Sequence, residues 1–89
     1  MSVKVSIGEN GLEYKEGCLV KHRTSGWYGI LVATDIINRT YNVLKFDESL
    51  GYAYLYYTDG RTLGTTKTDF SIVANRKEYD LTLSLKGDN

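Results

Sequence analysis

Tyrosine is concentrated in one short segment of this 89-residue chain, where four of the eight tyrosines lie between residues 52 and 57. On a strand, Tyr52, Tyr54 and Tyr56 share one face because side chains alternate along the backbone. Exposed aromatic rings can hold a cation by cation–π attraction or stack on nucleic-acid bases. The segment is therefore a candidate binding surface. The alternative is a tyrosine row that only covers a sheet face, because tyrosine also favours strands.

The residues between these tyrosines predict which way the row faces. Ala53 and Leu55 are small and branched, which suits a barrel interior, so we expect them to point inward and the tyrosine row outward. Trp27 and Tyr28, in a turn before another strand, are expected to join the row.

Basic residues are unevenly spread, although eleven Lys plus Arg balance eleven Asp plus Glu. Residues 17–41 hold three basic side chains against one acidic, and residues 61–77 hold four against one. If these segments lie together, they form a positive patch for nucleic acid or an acidic protein, with Lys21, Arg23, Arg61 and Lys67 as its candidates. The alternative is an ordinary surface of mixed charge.

The spacing of the reactive side chains argues against an enzyme. On one strand, Cys18 and His22 lie roughly 13 Å apart, whereas a nucleophile and its base need about 3 Å. One cysteine and one histidine do not build a zinc site without an unusual set of carboxylates. Asp47 and Glu48 neighbour each other, but in a predicted solvated turn. We expect no catalytic residue, no metal and no cofactor.

Membrane and secretory classes are also disfavoured. The longest uncharged apolar run, residues 29–33, is far shorter than the ~20 residues of a membrane span. Residues 1–16 carry several charges, which does not fit a secretory signal. The single cysteine agrees with a reducing compartment. We therefore expect a cytoplasmic protein without a membrane partner, in a host cell if the protein is viral.

The hydrophobic period of two predicts an all-β domain. Alternation in Val3–Ile7 and Tyr79–Leu85 indicates terminal strands. Asp59–Gly60 predicts a type I′ hairpin, and Leu44 and Phe46 are expected inward, with Val43 and Lys45 outward. The remaining predicted strands are Cys18–Lys21, Tyr28–Thr34, Thr40–Phe46, Tyr52–Thr58, Arg61–Thr66 and Ser71–Ala74, with one helical turn at Lys67–Phe70. So small a sheet favours a barrel, since closure reduces the exposed edges.

The middle of the chain resembles a known family of barrels. A series of short strands is formed by Glu16–His22 and Gly26–Val32, each with a glycine near its start, and is completed by Tyr41–Phe46, Tyr54–Gly60 and Asp69–Val73. This pattern resembles the small Src-homology-3-like barrels, especially the KOW and Tudor kinds. It is also similar to short uncharacterised proteins of tailed bacteriophages. The resemblance implies a barrel of about five strands over residues 16–74, and in Tudor-like barrels an aromatic cage for a methylated cation.

Two strands lie outside this unit. We expect one domain over residues 1–89, with extra strands at 2–8 and 79–85 that pair with each other or extend the barrel sheet. The expected function is a non-catalytic binding module that contacts a protein or nucleic acid through the aromatic face and the flanking basic residues. The alternative is a structural homo-oligomer whose terminal strands add to a neighbouring subunit.

Overall fold

The computed structural model describes residues 2–7 and 11–84, which form antiparallel strands and one short helix. The all-β prediction is confirmed. The elements are β1 (Ser2–Ile7), β2 (Leu19–His22), β3 (Tyr28–Asp35), β4 (Thr40–Asp47), β5 (Tyr52–Leu55), α1 (Leu63–Asp69), β6 (Phe70–Ala74) and β7 (Tyr79–Ser84).

The strands form two separate sheets. Five of them lie in the order β5-β4-β3-β2-β6, and β1 pairs with β7 in a two-stranded ribbon. Within the described residues no ladder joins β5 to β6, so closure of the barrel stays a prediction. The ribbon confirms that the two terminal strands pair with each other, in a register that sets Val3 opposite Leu83 and Val5 opposite Leu81. Residues 8 and 85 of the predicted strands lie outside the described residues.

The core lies on one side of the five-stranded sheet. Its fully buried members are Cys18, Val20, Leu31, Val43 and Phe70. Leu31 and Val43 are ladder partners and therefore point to the same side. The prediction that Leu44 and Phe46 face inward and Val43 outward is wrong, because this register turns Val43 into the core.

The second side of the sheet is also partly covered. Leu19 is as fully buried as its neighbours Cys18 and Val20. The ribbon attaches to the sheet through Tyr79, whose hydroxyl donates a hydrogen bond to the Gly17 carbonyl at 2.8 Å. Apolar residues therefore occur on both sides of β2 and β4, and period two alone does not tell which side is the core.

The predicted strand at Arg61–Thr66 is wrong, because the chain turns into α1 there. Thr62 is the N-cap, and its side-chain oxygen accepts from the Thr65 N–H, which satisfies a donor that the first turn of a helix leaves free. Only Arg61 keeps a strand-like contact, an isolated bridge to Tyr41. The helical turn predicted at Lys67–Phe70 is contained in α1 as far as Asp69.

The predicted hairpin at Asp59–Gly60 is wrong as well. β5 ends at Leu55, and in the described chain positive φ occurs at neither residue of the pair, as a type I′ turn would require. The side-chain amide of Asn42 ends the ladder. It accepts from the Tyr57 N–H at 2.9 Å and donates to the Tyr57 carbonyl at 2.9 Å. These bonds take the place of a returning strand.

Gly29 is required by the close approach of β3 and β4. A Cβ at this position would lie 2.6 Å from Val43 Cγ1 and 2.8 Å from the Leu44 carbonyl oxygen. We expect Gly29→Ala to lower the free energy of unfolding by about 1–3 kcal/mol, because the core has no room for the added carbon. Urea denaturation measures this.

The matched control for this change is Gly64→Ala in α1. A Cβ there meets only Thr62 Oγ1, at 3.9 Å. Alanine favours a helix over glycine by about 0.5–1 kcal/mol, so this variant should gain stability. Equal effects of the two substitutions would contradict the close approach of the strands.

Candidate binding site

An aromatic cluster surrounds the buried ring of Phe70. It consists of His22, Trp27, Tyr56, Tyr57 and Phe70. The ring centroids of Trp27 and Phe70 lie 5.1 Å apart, and His22 stacks on Trp27 at 5.0 Å with an interplanar angle of 11°. Such edge-to-face and stacked pairs add to the energy of burial.

Two local features position this cluster. His22 and Phe70 are ladder partners on β2 and β6, which brings their rings together. The turn after β2 returns at Gly26, whose N–H donates to the His22 carbonyl at 2.9 Å. The His22 N–H in turn donates to the Trp27 carbonyl at 2.9 Å. Trp27 is thereby held over the end of β2.

Lys45 is a member of the site that the sequence analysis missed. Its ammonium lies 4.8 Å from the Trp27 ring centroid and 5.6 Å from that of Tyr54, both cation–π distances. Its Nζ is also 3.4 Å from Asp47 Oδ2. The predicted outward position of Lys45 is wrong, since its side chain is only 19% exposed. The sequence does hold a signal for this position. Lys45 is two residues from Val43, so on a strand both side chains lie on the same side of β4.

Hydrogen bonds tune the two charges of this pair. The backbone N–H of Leu50 donates a hydrogen bond to Asp47, and this bond is the main cause that lowers the pKa of Asp47 below its ordinary value. A hydrogen bond from Lys45 and its positive charge lower that pKa further. Burial by itself would lower the pKa of Lys45, but hydrogen bonds to Tyr54 and Asp47 outweigh it and raise that pKa. At neutral pH both groups are therefore charged and stabilise each other.

The tyrosine row differs from its prediction. Tyr52 and Tyr54 share a face with their rings 5.9 Å apart, but Tyr56 lies past the end of β5 and joins the aromatic cluster. The inward prediction for Ala53 and Leu55 is wrong, because both are exposed, Leu55 to 48%. Tyr54 is the ladder partner of Lys45 and so takes the core side of the sheet. On this edge strand, the face opposite the tyrosines carries the exposed side chains of Ala53 and Leu55.

The predicted basic residues are engaged with rings and carbonyl groups. Arg23 Nε and Nη2 donate to the Lys67 carbonyl at 3.2 and 3.1 Å, so two of the four lie together. Lys21 lies 5.6 Å from the Tyr28 ring. Arg61 lies 5.1 Å from the Tyr57 ring and donates to the carbonyls of Asp59 and Gly60. Lys67 lies 5.4 Å from the Tyr14 ring.

A cleft of about 490 Å³ opens beside the aromatic cluster, between the turn after β2 and the turn after β4. The rings of Trp27, Tyr28 and Phe46 line it, with Lys45 and Asp47 at the same surface. The other lining residues are Val3, Ser25, Gly26, Glu48 and Ser49. The cleft therefore unites two of the predicted aromatic residues with the Lys45–Asp47 pair. The predicted Tyr52, Tyr54 and Tyr56 do not line it.

Cys18 and His22, the side chains considered above as a nucleophile and its base, lie in different surroundings. Burial raises the pKa of the Cys18 thiol, so it is protonated at neutral pH and a weak nucleophile. His22 Nδ1 accepts from the Ser25 N–H at 3.0 Å, and its ring belongs to the aromatic cluster. Across residues 2–7 and 11–84, three or more His, Cys, Asp or Glu side chains nowhere gather into a group suited to a metal ion.

In that same part of the chain, no helix has the length and apolar character needed to cross a membrane. Comparison with known proteins adds no relative: no protein-family model matches the chain, and searches of curated proteins and of solved structures find no similar one. The geometry of the site is therefore the basis for the function proposed below.

The lowered pKa of Asp47 predicts an acid-dependent stability. Because the folded-state pKa lies below the unfolded one, the unfolded chain binds more protons as pH falls. The contribution is therefore present above the ordinary pKa of an aspartate, about 3.9, and is lost as pH falls below it and through the lower folded-state value. We expect Asp47→Asn to be less stable than the wild type at pH 7 and to approach it at pH 3, measured by thermal unfolding. Asp80→Asn, an exposed change on β7, should follow the wild type throughout; a constant offset for Asp47→Asn would contradict the linkage.

Proposed function

We propose that this chain is a non-catalytic binding module that holds a segment of another protein in the cleft beside Trp27. The observation behind this proposal is the cleft itself, whose three aromatic walls stand next to fixed charges. Its volume of about 490 Å³ lies in the range of ligand sites, roughly 300–1,000 Å³. Aromatic walls supply apolar contact, and the charged groups orient what binds.

The charges of the cleft favour a protein segment over a phosphate backbone. Lys45 and Asp47 are paired with each other, and Glu48 adds a negative charge at the exposed rim. A cleft with this balance repels phosphate and suits a segment that sets a basic residue beside apolar or aromatic ones. The zero formal net charge of the chain agrees with this choice.

The proposed architecture is a Src-homology-3-like barrel. The strand order β5-β4-β3-β2-β6, with a short helix immediately before β6, supports this proposal, because five consecutive strands form the sheet and the first of them pairs with the last. In this arrangement the turns after the first and third strands of the unit flank the cleft. A relation to bacteriophage proteins and a cytoplasmic location remain predictions.

Nucleic-acid binding is a second candidate function, favoured by one observation. Arg23 and Lys67 come from the two basic segments and lie in contact. Lys21, two residues before Arg23, is the ladder partner of Tyr28 at the start of β3. Cations next to exposed rings can bind phosphate and stack on bases.

The Trp27 side chain gives a direct test of the cleft, because it is the only tryptophan of the chain. A displayed library of random peptides is selected on the protein, and the selected peptides are titrated by Trp27 fluorescence. We expect saturable binding of peptides that combine basic and aromatic residues. Glu48→Lys should weaken it by about fivefold or more, since a rim charge contributes on the order of 1 kcal/mol.

The control for this titration is Asp80→Lys, which makes the same change of charge on β7, opposite Ser6 rather than Val3. It should bind like the wild type. If both variants lose affinity equally, only the net charge matters. Failure to select any saturable peptide would remove the proposal.

The second candidate is tested with random-sequence single-stranded RNA and DNA. If the chain binds them, affinity should fall steeply with salt, and Arg23→Ala and Lys67→Ala should each reduce the slope of log affinity against log salt by about one. Lys4→Ala on β1 is the control and should change nothing. No binding at low salt would eliminate this function.

A further inference from the structure

The two edges of the five-stranded sheet are treated differently. At the β6 edge, Phe70 and Ala74 are buried, α1 packs beside the strand, and the Asn75 side chain binds the backbone of Gly11 and Glu13. At the β5 edge, by contrast, Tyr52, Ala53 and Leu55 are exposed. The sheet therefore has one protected edge and one open edge.

The open edge lacks the usual protection against pairing. Residues 50–58 contain no charged residue, and the whole chain contains no proline. Proteins normally blunt an exposed edge with charges, proline or a bulge, because its free N–H and C=O groups are a template for another strand. An uncharged edge can also pair with a copy of itself without setting like charges opposite each other.

The ladder to β4 identifies the free backbone groups of β5. The Tyr56 N–H donates to the Val43 carbonyl at 2.8 Å. In an antiparallel pair, hydrogen bonding alternates along the strand, so the even-numbered residues of β5 face β4. Ala53 and Leu55 consequently direct one N–H and one C=O each away from the sheet.

Only one symmetric register uses all four groups. Pairing Ala53 with its own copy would require Gly51, which has φ +82° and donates to the Asp47 carbonyl in the turn. Pairing Leu55 with its own copy would require Tyr57, whose N–H and C=O are held by Asn42. Pairing Ala53 with the partner's Leu55 requires neither.

We infer that two copies of the chain join through antiparallel β5 strands, around a two-fold axis at Tyr54. The two five-stranded sheets then form one continuous sheet. On one face Tyr54 lies opposite the partner's Tyr54, an aromatic cross-strand pair. On the other face each Leu55 packs beside the partner's Ala53, whose small side chain leaves room for it. Four backbone hydrogen bonds and these side chains form the centre of the interface.

Light scattering coupled to size exclusion, over a range of protein concentrations, tests this inference. We expect twice the mass of one chain for the wild type and a single-chain mass for Leu55→Lys and Ala53→Pro. Proline at residue 53 removes only the outward N–H, so the ladder to β4 stays intact. Circular dichroism verifies that both variants are folded.

Leu83→Lys is the matched control, because Leu83 is exposed to 59% on the terminal ribbon and Leu55 to 48% on β5. It should keep the double mass. A wild-type monomer at every concentration, or a double mass that survives both β5 variants, would overturn the inference. So would dissociation by Leu83→Lys alone, which would assign assembly to the terminal strands.

The register has its own test by disulfide cross-linking. Tyr54 and its copy form a non-hydrogen-bonded pair, with Cα atoms about 4.5 Å apart, and a disulfide spans about 4.4–6.8 Å. Tyr54→Cys should cross-link under mild oxidation, whereas Tyr52→Cys should not, because its copies lie roughly 13 Å apart. The native Cys18 is buried and stays silent. Equal cross-linking of both variants would exclude this register.

Discussion

The aromatic half of the molecule depends on the burial of Phe70 where α1 passes into β6. Its side chain is fully buried, and four other rings lie within 5.1–6.3 Å of its centroid. Loss of a buried phenylalanine costs about 3–5 kcal/mol, a large part of the stability of a chain this short. The same ring fixes Trp27, so the wall of the cleft is a consequence of core packing.

The second constraint is a cation on the core side of β4. A lysine so little exposed is costly unless its charge is compensated. Here the rings of Trp27 and Tyr54 and the carboxylate of Asp47 compensate it. Asp47 is itself held by the Leu50 N–H in the turn that leads to β5. The Lys45–Asp47 pair lines the cleft and is also connected to the turn before β5, the strand at the open edge of the sheet.

The open edge and the cleft lie on neighbouring strands, with Tyr54 beside both. Trp27 lies in the turn after β2, and Phe46 lies on β4. Pairing of β5 with a second copy therefore does not use the residues that line the cleft. A dimer through β5 would place two such clefts in one assembly. Two linked sites bind a repeated partner more tightly than one, because the second contact becomes intramolecular.

Much of the strand pattern could be predicted from local sequence. Val3 and Val5 alternate with polar residues, as do Leu81 and Leu83, and both segments are strands that pair with each other. The alternation of apolar and polar residues suffices to predict these two strands, because only one face of the ribbon is strongly apolar. Trp27 and Tyr28 could likewise be recognised as surface candidates, and the cleft includes both.

Other features depended on contacts between residues distant in the chain. The side of β4 that forms the core follows from its register with β3, which turns Val43 and Lys45 inward. Likewise, Asn42 replaces the predicted hairpin by binding Tyr57, 15 residues away. The sequence by itself determined an all-β chain, since alternation is a local property of side chains along a strand. Only the tertiary structure decided which faces are buried and where Lys45 lies, because burial depends on what packs against a strand.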